Sequence, residues 1–100
     1  MSQIDSDIQE LFSNLRYNSK KTIVYAIASG LESHSPEEIG KYLISNIENT
    51  GSISTKLIRY NLVINHIHSE GRKQSVVKKS QYEELEKILK DKRQSIFKPQ

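Results

Sequence analysis

The chain has 100 residues, of which 35% are hydrophobic and 27% are charged, and its formal net charge is +3 at neutral pH. This length favours a single domain over residues 1–100, with a modest core and no deeply enclosed active site. The absence of cysteine excludes disulfides, cysteine nucleophiles and thiolate metal sites, and it fits a reducing cytoplasm.

We expect a cytoplasmic protein without membrane attachment. The longest near-apolar run, residues 22–28, is too short to cross a bilayer. The acidic, amphipathic N-terminus is not typical of a secretory signal or a transit peptide.

Charge is distributed unevenly along the chain. Residues 1–50 contain seven acidic and four basic side chains, whereas residues 51–100 contain five acidic and eleven basic ones. Between residues 52 and 81 there are six basic residues and one acid, Glu70. This asymmetry favours a polyanionic partner, with ordinary solvated charge as the alternative explanation.

The first two predicted helices cover residues 3–17 and 20–32. In the first, apolar residues recur every three or four positions, which is the spacing of one helical face. Asn18-Ser19 separates the two and can cap the second. A broad apolar face from Ile23 to Leu31 indicates that the second helix has a central position.

A strong helix start opens the third predicted helix, residues 35–47. Ser35 can accept a hydrogen bond from the amide of Glu38, and Glu38 can reach back to the amide of Ser35. Pro36 occupies the first helical position, where its missing N–H leaves no partner unsatisfied. The polar, glycine-containing stretch 48–52 ends this helix.

The fourth predicted helix runs from residue 54 to residue 69. Ser52 or Ser54 caps it, and Gly71 suits the left-handed conformation just past its end. Together with the third helix it predicts a helix-turn-helix, in which the start of the second helix enters a DNA major groove.

The remaining chain predicts one more helix. Residues 72–79 place two valines in a basic context, and a second capping-box pattern at residues 80–83 opens a helix over residues 81–93. We expect residues 94–100 to be a flexible tail. The predicted fold class is mainly α, with about five helices and a helix-turn-helix core. Residues 72–79 form either a minimal two-stranded β wing or a helical connection.

The stretch 53–71 resembles the recognition helix of winged-helix DNA-binding proteins, including the bacterial Fur, ArsR and PadR-type regulators. In that pattern a serine starts the helix, an aliphatic residue follows four positions later and a leucine eight positions later. Ser54, Ile58 and Leu62 match these positions. The chain departs from the pattern at Asn65, where an aliphatic residue is usual, and in the short space for a wing.

The resemblance covers the order of elements over about residues 20–90. It implies sequence-specific binding of double-stranded DNA. The corresponding roles are transcription regulation, for example as a repressor, or plasmid- or phage-type partition or replication control.

The residues expected to contact DNA form two groups. In the first, Arg59 suits bidentate pairing with guanine and Asn61 pairing with adenine, while Lys56 and Thr55 suit phosphate. The second group lies in the wing or loop and suits the flanking backbone or minor groove. The complete predicted set is Ser54, Thr55, Lys56, Arg59, Tyr60, Asn61, Arg72, Lys73, Lys78 and Lys79.

Some of these residues also have a purely structural interpretation. Tyr60 lies on an apolar band of the same helix, so core packing is its alternative. Arg59 is alternatively a solvated side chain or a member of an intramolecular ion pair. For the four cations of the second group, the alternative is a solvated basic loop.

We expect no enzymatic activity, no metal and no cofactor. His66 and His68 are two positions apart on a helix and cannot jointly hold a metal. The glutamate pairs at residues 37–38 and 83–84 are explained by helix N-termini, where negative charge interacts favourably with the helix dipole.

The expected partners are double-stranded DNA and a second copy of the chain. Two-fold pairing doubles the base contacts over two half-sites, and the apolar face of helix 3–17 or of helix 81–93 can form the homodimer seam. The alternative function is a small helical protein–protein adaptor with no nucleic-acid role, in which these faces hold a partner and the basic residues steer an acidic one.

Overall fold

The computed structural model describes residues 10–13, 15–49 and 51–97. These residues form five helices and contain no strand, which confirms the predicted mainly α fold. The helices are α1 (residues 10–13), α2 (Lys20–Ser33), α3 (Pro36–Glu48), α4 (Ile53–Gly71) and α5 (Val76–Phe97).

Serine side chains begin three of the helices. Ser19, Ser35 and Ser52 each accept a hydrogen bond from the backbone amide three residues further on. At Ser35 the reciprocal bond of the predicted capping box is also present, because its backbone N–H donates to the Glu38 carboxylate at 3.2 Å. These bonds satisfy amides that have no partner inside the helix, so the starts of α2, α3 and α4 are set locally.

Helix α5 makes the most extensive helix–helix contacts of the core. It packs most extensively against α4 and then against α3, while α2 packs on α4 and α3 from the other side. Leu85 and Leu89 of α5 are fully buried, and burial of such a side chain contributes about 1.5–3 kcal/mol. The buried apolar side chains are Phe12, Ile23, Ala26, Ile27, Leu31, Ile39, Leu43, Ile47, Tyr60, Val63, Ile64, Ile67, Tyr82, Leu85 and Leu89.

Two glycines allow α5 to approach its neighbours closely. A Cβ atom on Gly71 would lie 2.9 Å from the Cβ of Tyr82, and one on Gly40 would lie 2.9 Å from Cγ2 of Ile88. The prediction that Gly71 adopts the left-handed conformation past the helix end was wrong. It is the last residue of α4, and no glycine among the described residues has a positive φ. The requirement for glycine at this position is therefore steric.

The connection between α4 and α5 contains no strand. Residues 72–75 form the turn, and α5 begins at Val76, with the amide of Lys79 donating to the carbonyl of Ser75 at 2.7 Å. The β-wing alternative is therefore wrong and the helical alternative is correct. The helix begins at Val76, five residues before the predicted start at residue 81. The prediction missed these residues because the exposed first turn of α5 has no apolar periodicity.

Two other helix ends differ from the prediction. The first predicted helix, residues 3–17, is helical at residues 10–13 but not at residues 15–18, while residues 1–9 and 14 lie outside the described part of the chain. Helix α5 continues to Phe97, into the segment predicted to be a tail. Residues 98–100 of that segment also lie outside the described residues.

The contact between Gly71 and Tyr82 makes a prediction about stability. Alanine has the higher helix propensity by about 1 kcal/mol, but overpacking a close contact costs about 1–3 kcal/mol. Because the atom that a new methyl group would meet is the Cβ of Tyr82, it cannot move without the α5 backbone. We expect Gly71→Ala to lower the free energy of unfolding by up to about 2 kcal/mol in urea denaturation.

Gly51→Ala is the matched control. A Cβ at Gly51 would meet nothing within 4 Å, and this residue also lacks a positive φ. We expect its unfolding free energy to be unchanged or raised by up to about 1 kcal/mol. A Gly71→Ala protein as stable as the Gly51→Ala protein would contradict the close packing of α5 on α4.

Candidate nucleic-acid interface

The first half of α4 carries the first group of predicted contact residues, and five of these six side chains have partners within the chain. The ammonium group of Lys56 lies 3.2 Å from the Glu48 carboxylate. The Asn61 side-chain oxygen accepts a hydrogen bond from Arg93 at 2.7 Å. These contacts tie α4 to the end of α3 and to the last turns of α5, so these side chains are held in place by the protein itself.

Arg59 is also engaged within the chain. Its guanidinium lies over the ring of Tyr17, 4.7 Å from the ring centroid, which is the geometry of a cation–π interaction. The Tyr17 hydroxyl donates to the side-chain oxygen of Asn46 at 2.5 Å. Burial raises the pKa of Tyr17 to about 12, although the nearby charge of Arg59 acts to lower it. Arg59 is therefore partly exposed and held against an aromatic ring of the same chain.

Tyr60 lies in the core and was wrongly included among the DNA contacts. Its side chain is fully buried, and its hydroxyl donates to the Glu48 carboxylate at 2.6 Å. Burial, together with the hydrogen bond and charge of Glu48, raises the pKa of Tyr60 above its usual range. The hydrogen bond from Tyr60 in turn holds the pKa of Glu48 below its usual range, with Lys56 acting in the same direction.

Thr55 belongs to the helix cap, and Ser54 beside it is exposed. The Thr55 amide donates to the Ser52 side-chain oxygen at 3.2 Å, and the Ser52 hydroxyl donates to the Thr55 hydroxyl oxygen at 2.7 Å. Of the two serines proposed as the cap, Ser52 is the one that serves. Among the first group, Ser54 therefore has an exposed side chain with no cap or ion-pair role in the described part of the chain.

The two apolar residues that match the winged-helix pattern, Ile58 and Leu62, are not among the buried residues of α4. Ile58 is 59% exposed, and Leu62 is only partly buried. The buried stripe of α4 is instead made by Tyr60, Val63 and its neighbours. The Ser-Ile-Leu spacing therefore lies towards the outer side of the helix in this fold.

The second group of predicted residues comes together as one exposed cluster. We call residues 72–79, which comprise the turn and the first turn of α5, the basic turn. Its four basic side chains are all exposed, and only one has an ion pair within the described part of the chain, Lys73 with Glu70 at 3.3 Å. Val76 and Val77, between the two basic pairs, are 86% and 76% exposed. The four basic residues are Arg72, Lys73, Lys78 and Lys79.

Acidic side chains beside the basic turn are mostly neutralised. Glu70 is shared between Lys73 and Lys20, the latter at 3.9 Å. Burial acts to raise the pKa of Glu86, but hydrogen bonds from Lys90 and His68 outweigh it and hold that pKa below its usual range. Of the four cations of the basic turn, only Lys73 is paired with one of these two carboxylates.

The positions of Lys78 and Lys79 are unfavourable for the helix on which they lie. They follow the first two residues of α5, and that first turn contains no acidic side chain. The N-terminal end of a helix carries a partial positive charge, so cations there are destabilising. By contrast, α3 begins with Glu37 and Glu38, as the dipole favours. The start of α5 thus concentrates positive charge from side chains, unpaired amides and the helix dipole.

The structure separates the two predicted groups rather than forming one surface from them. Lys56 lies near the first turn of α4, whereas the basic turn follows the last. Sixteen residues separate Lys56 from Arg72, and at 1.5 Å per residue this corresponds to about 24 Å along the helix axis.

The predicted dimer seams are also changed by the fold. Tyr82, Leu85 and Leu89, the apolar face of the C-terminal helix, are buried against α3 and α4. This face is therefore not available to a second chain. In the N-terminal helix Phe12 is buried in the core as well, and residues 3–9 of that predicted seam lie outside the described residues.

The comparisons with known proteins identify no relative. No family model, no curated protein and no solved structure matches this chain. Within the described residues, no helix is long and apolar enough to span a membrane. The same residues contain no group of three or more histidine or acidic side chains arranged to hold a metal ion.

The hydrogen bond from the buried Tyr60 to the partly exposed Glu48 gives a test that depends on pH. Since the pKa of Glu48 is depressed in the folded state, its contribution to stability is present above the unfolded-state pKa and is lost as pH falls through the folded-state pKa. We expect Tyr60→Phe to lower the free energy of unfolding by about 1.5–3 kcal/mol at neutral pH, the range for a hydrogen bond to a charged group. The deficit should shrink as Glu48 becomes protonated.

Tyr25→Phe is the control for this change. Tyr25 is 67% exposed, so loss of its hydroxyl should change stability by less than about 0.5 kcal/mol at any pH. Urea denaturation of both variants at neutral and at acidic pH provides the measurement. A Tyr60→Phe deficit that stays constant as the pH falls would show that Glu48 is not its charged partner.

Proposed function

We propose that this protein binds double-stranded DNA, with the basic turn contacting the phosphate backbone. The observation that carries the proposal is the cluster of four exposed cations within eight residues, three of which have no ion pair among the described residues. Cations contribute most to DNA affinity by neutralising phosphates and releasing counterions.

The start of α5 adds to this support. Helix N-termini bind phosphate because their first amides point outward and the dipole favours negative charge. In the sequence, the first amides of α5 follow Arg72 and Lys73 and adjoin Lys78 and Lys79. An anion bound at the start of α5 would offset the repulsion between these positive charges, which is present in the free protein.

The proposed contacts position the protein on DNA rather than read its sequence. Phosphate contacts carry no sequence information themselves. In the first half of α4, Lys56, Arg59 and Asn61 already have intramolecular partners, so base reading by these side chains would require them to exchange those partners. We therefore propose duplex binding with modest sequence preference, which suits a repressor or a partition or replication protein acting as a dimer.

Exposure of Val76 and Val77 favours a second candidate function. Two exposed valines between basic pairs would suit an acidic protein surface with an apolar centre, as in the adaptor hypothesis. Contact with the phosphate backbone of DNA requires the cations but not the apolar valine side chains. Replacement of both valines with threonine should therefore leave DNA binding unchanged and weaken an acidic protein partner.

The direct test compares two double variants that each remove two exposed lysines. Lys78→Ala with Lys79→Ala removes charge from the basic turn, whereas Lys41→Ala with Lys92→Ala removes the same charge elsewhere. We expect the first to reduce affinity for a random duplex at least about tenfold and the second to change it little, because only the first removes phosphate contacts. Fluorescence anisotropy at low salt measures both.

The stability of the first variant separates loss of binding from loss of folding. Removing Lys78 and Lys79 relieves the unfavourable charge at the start of α5, so the variant should be as stable as the unmodified protein or up to about 1 kcal/mol more stable. For the unmodified protein, four neutralised phosphates predict a slope of log affinity against log salt of about −3.6. Absence of any salt-sensitive duplex binding at micromolar protein would overturn the proposal.

A further inference from the structure

Opposite the side that enters the core, α2 has an exposed side with an apolar centre. Its inner side buries Ile23 and Ile27, whereas on its outer side Tyr25 is 67% exposed and Ala28 is partly exposed. Val24 and Tyr25 also line an open groove, together with Leu11 of α1 and the side chains of Lys20 and Lys21. An exposed aromatic side chain in an apolar groove is typical of a protein contact surface.

The residues of this outer side follow one stripe of the helix. Lys21, Tyr25, Ala28 and Glu32 are separated by four, three and four positions, the spacing that keeps side chains on one face. The stripe has a basic end, an apolar centre and an acidic end. We infer that it is the contact surface for a second copy of this chain, which packs its own α2 antiparallel across a two-fold axis.

Charge complementarity identifies the second copy as the occupant. A two-fold axis crossing α2 between residues 26 and 27 places Lys21 opposite Glu32 of the other copy, and the same pair then forms a second time. Both side chains are exposed, and neither forms an ion pair with another described residue. The stripe is therefore complementary to itself only when it runs antiparallel.

Side-chain size is complementary in the same register. Tyr25 lies opposite Ala28 of the other copy. The large side chain of each copy thus faces a small one of the other, which lets two helices pack at the usual distance of about 8–10 Å. Because each copy contributes a single short helix, we expect association in the micromolar range. This inference does not depend on DNA binding, since the stripe contains none of the residues of the basic turn.

A charge-exchange series tests the register. Lys21→Glu and Glu32→Lys each place like charges opposite one another and should weaken dimerisation about tenfold. The double variant restores both ion pairs and should dimerise like the unmodified protein. A mixture of the two single variants should form a heterodimer, since each supplies what the other lacks. Lys41→Glu, an exposed change on α3, is the control and should leave dimerisation unchanged.

Sedimentation velocity over a range of micromolar concentrations provides the measurement. Rescue by the double variant and by the mixture supports the antiparallel pair and cannot arise from misfolding of a single variant. The inference is overturned if the protein is monomeric at all concentrations. It is also overturned if none of these charge exchanges changes the dimerisation. A monomer that dimerises only after removal of residues 2–9 also overturns it, because the groove would then be covered by the chain's own N-terminal segment.

Discussion

The close packing of α5 into the angle between α3 and α4 is the constraint on which the other features depend. Gly71 admits Tyr82 at the end of α4, and Gly40 admits Ile88 on α3. With α5 held at both places, Leu85 is fully buried between them. The short turn that connects α4 to α5 is consequently forced to the outside of the molecule, and its cations project away from the core.

The basic side chains at the start of α5 are electrostatically unfavourable for that helix. Helix α3 follows the electrostatic preference of a helix start, with Glu37 and Glu38 in its first turn, whereas α5 opposes it with Lys78 and Lys79. The same chain thus uses both solutions, and α2 and α4, like α5, have no acidic side chain in their first turns. An anionic ligand at the start of α5 would explain why an unfavourable arrangement is kept, and it links the packing of α5 to the proposed function.

Much of the fold could be predicted from the sequence because its signals are local. Ser35 with Glu38 marks the start of α3, and Ser19 and Ser52 cap α2 and α4. The same serine–glutamate pattern at Ser80 and Glu83, however, lies inside α5 and starts no helix. The start of α5 lacked such a signal, since Val76 and Val77 are exposed and show no helical periodicity. In α4, apolar residues cover so much of the circumference that periodicity alone does not select the buried side. Tyr60 was consequently assigned to the DNA contacts, with core packing only as its alternative, and it lies in the core.

The candidate site was less predictable because its contacts are not local. Lys56, Arg59 and Asn61 find partners on α3, before α2 and near the end of α5, at separations that no sequence spacing reveals. The basic turn was predictable in composition but not in shape. Its four cations are adjacent in sequence, whereas their grouping at a helix N-terminus depends on where α5 begins.

Whether DNA contacts the basic turn is measured most directly by a residue-by-residue map of DNA contact on the protein in solution. Amide chemical shifts recorded by NMR during titration with a short random duplex would report both ends of α4 at once. If DNA contacts the basic turn, the largest changes should occur at residues 72–79 and only small changes at residues 53–61. Largest changes at residues 53–61, with the basic turn unaffected, would contradict it and restore the recognition-helix interpretation.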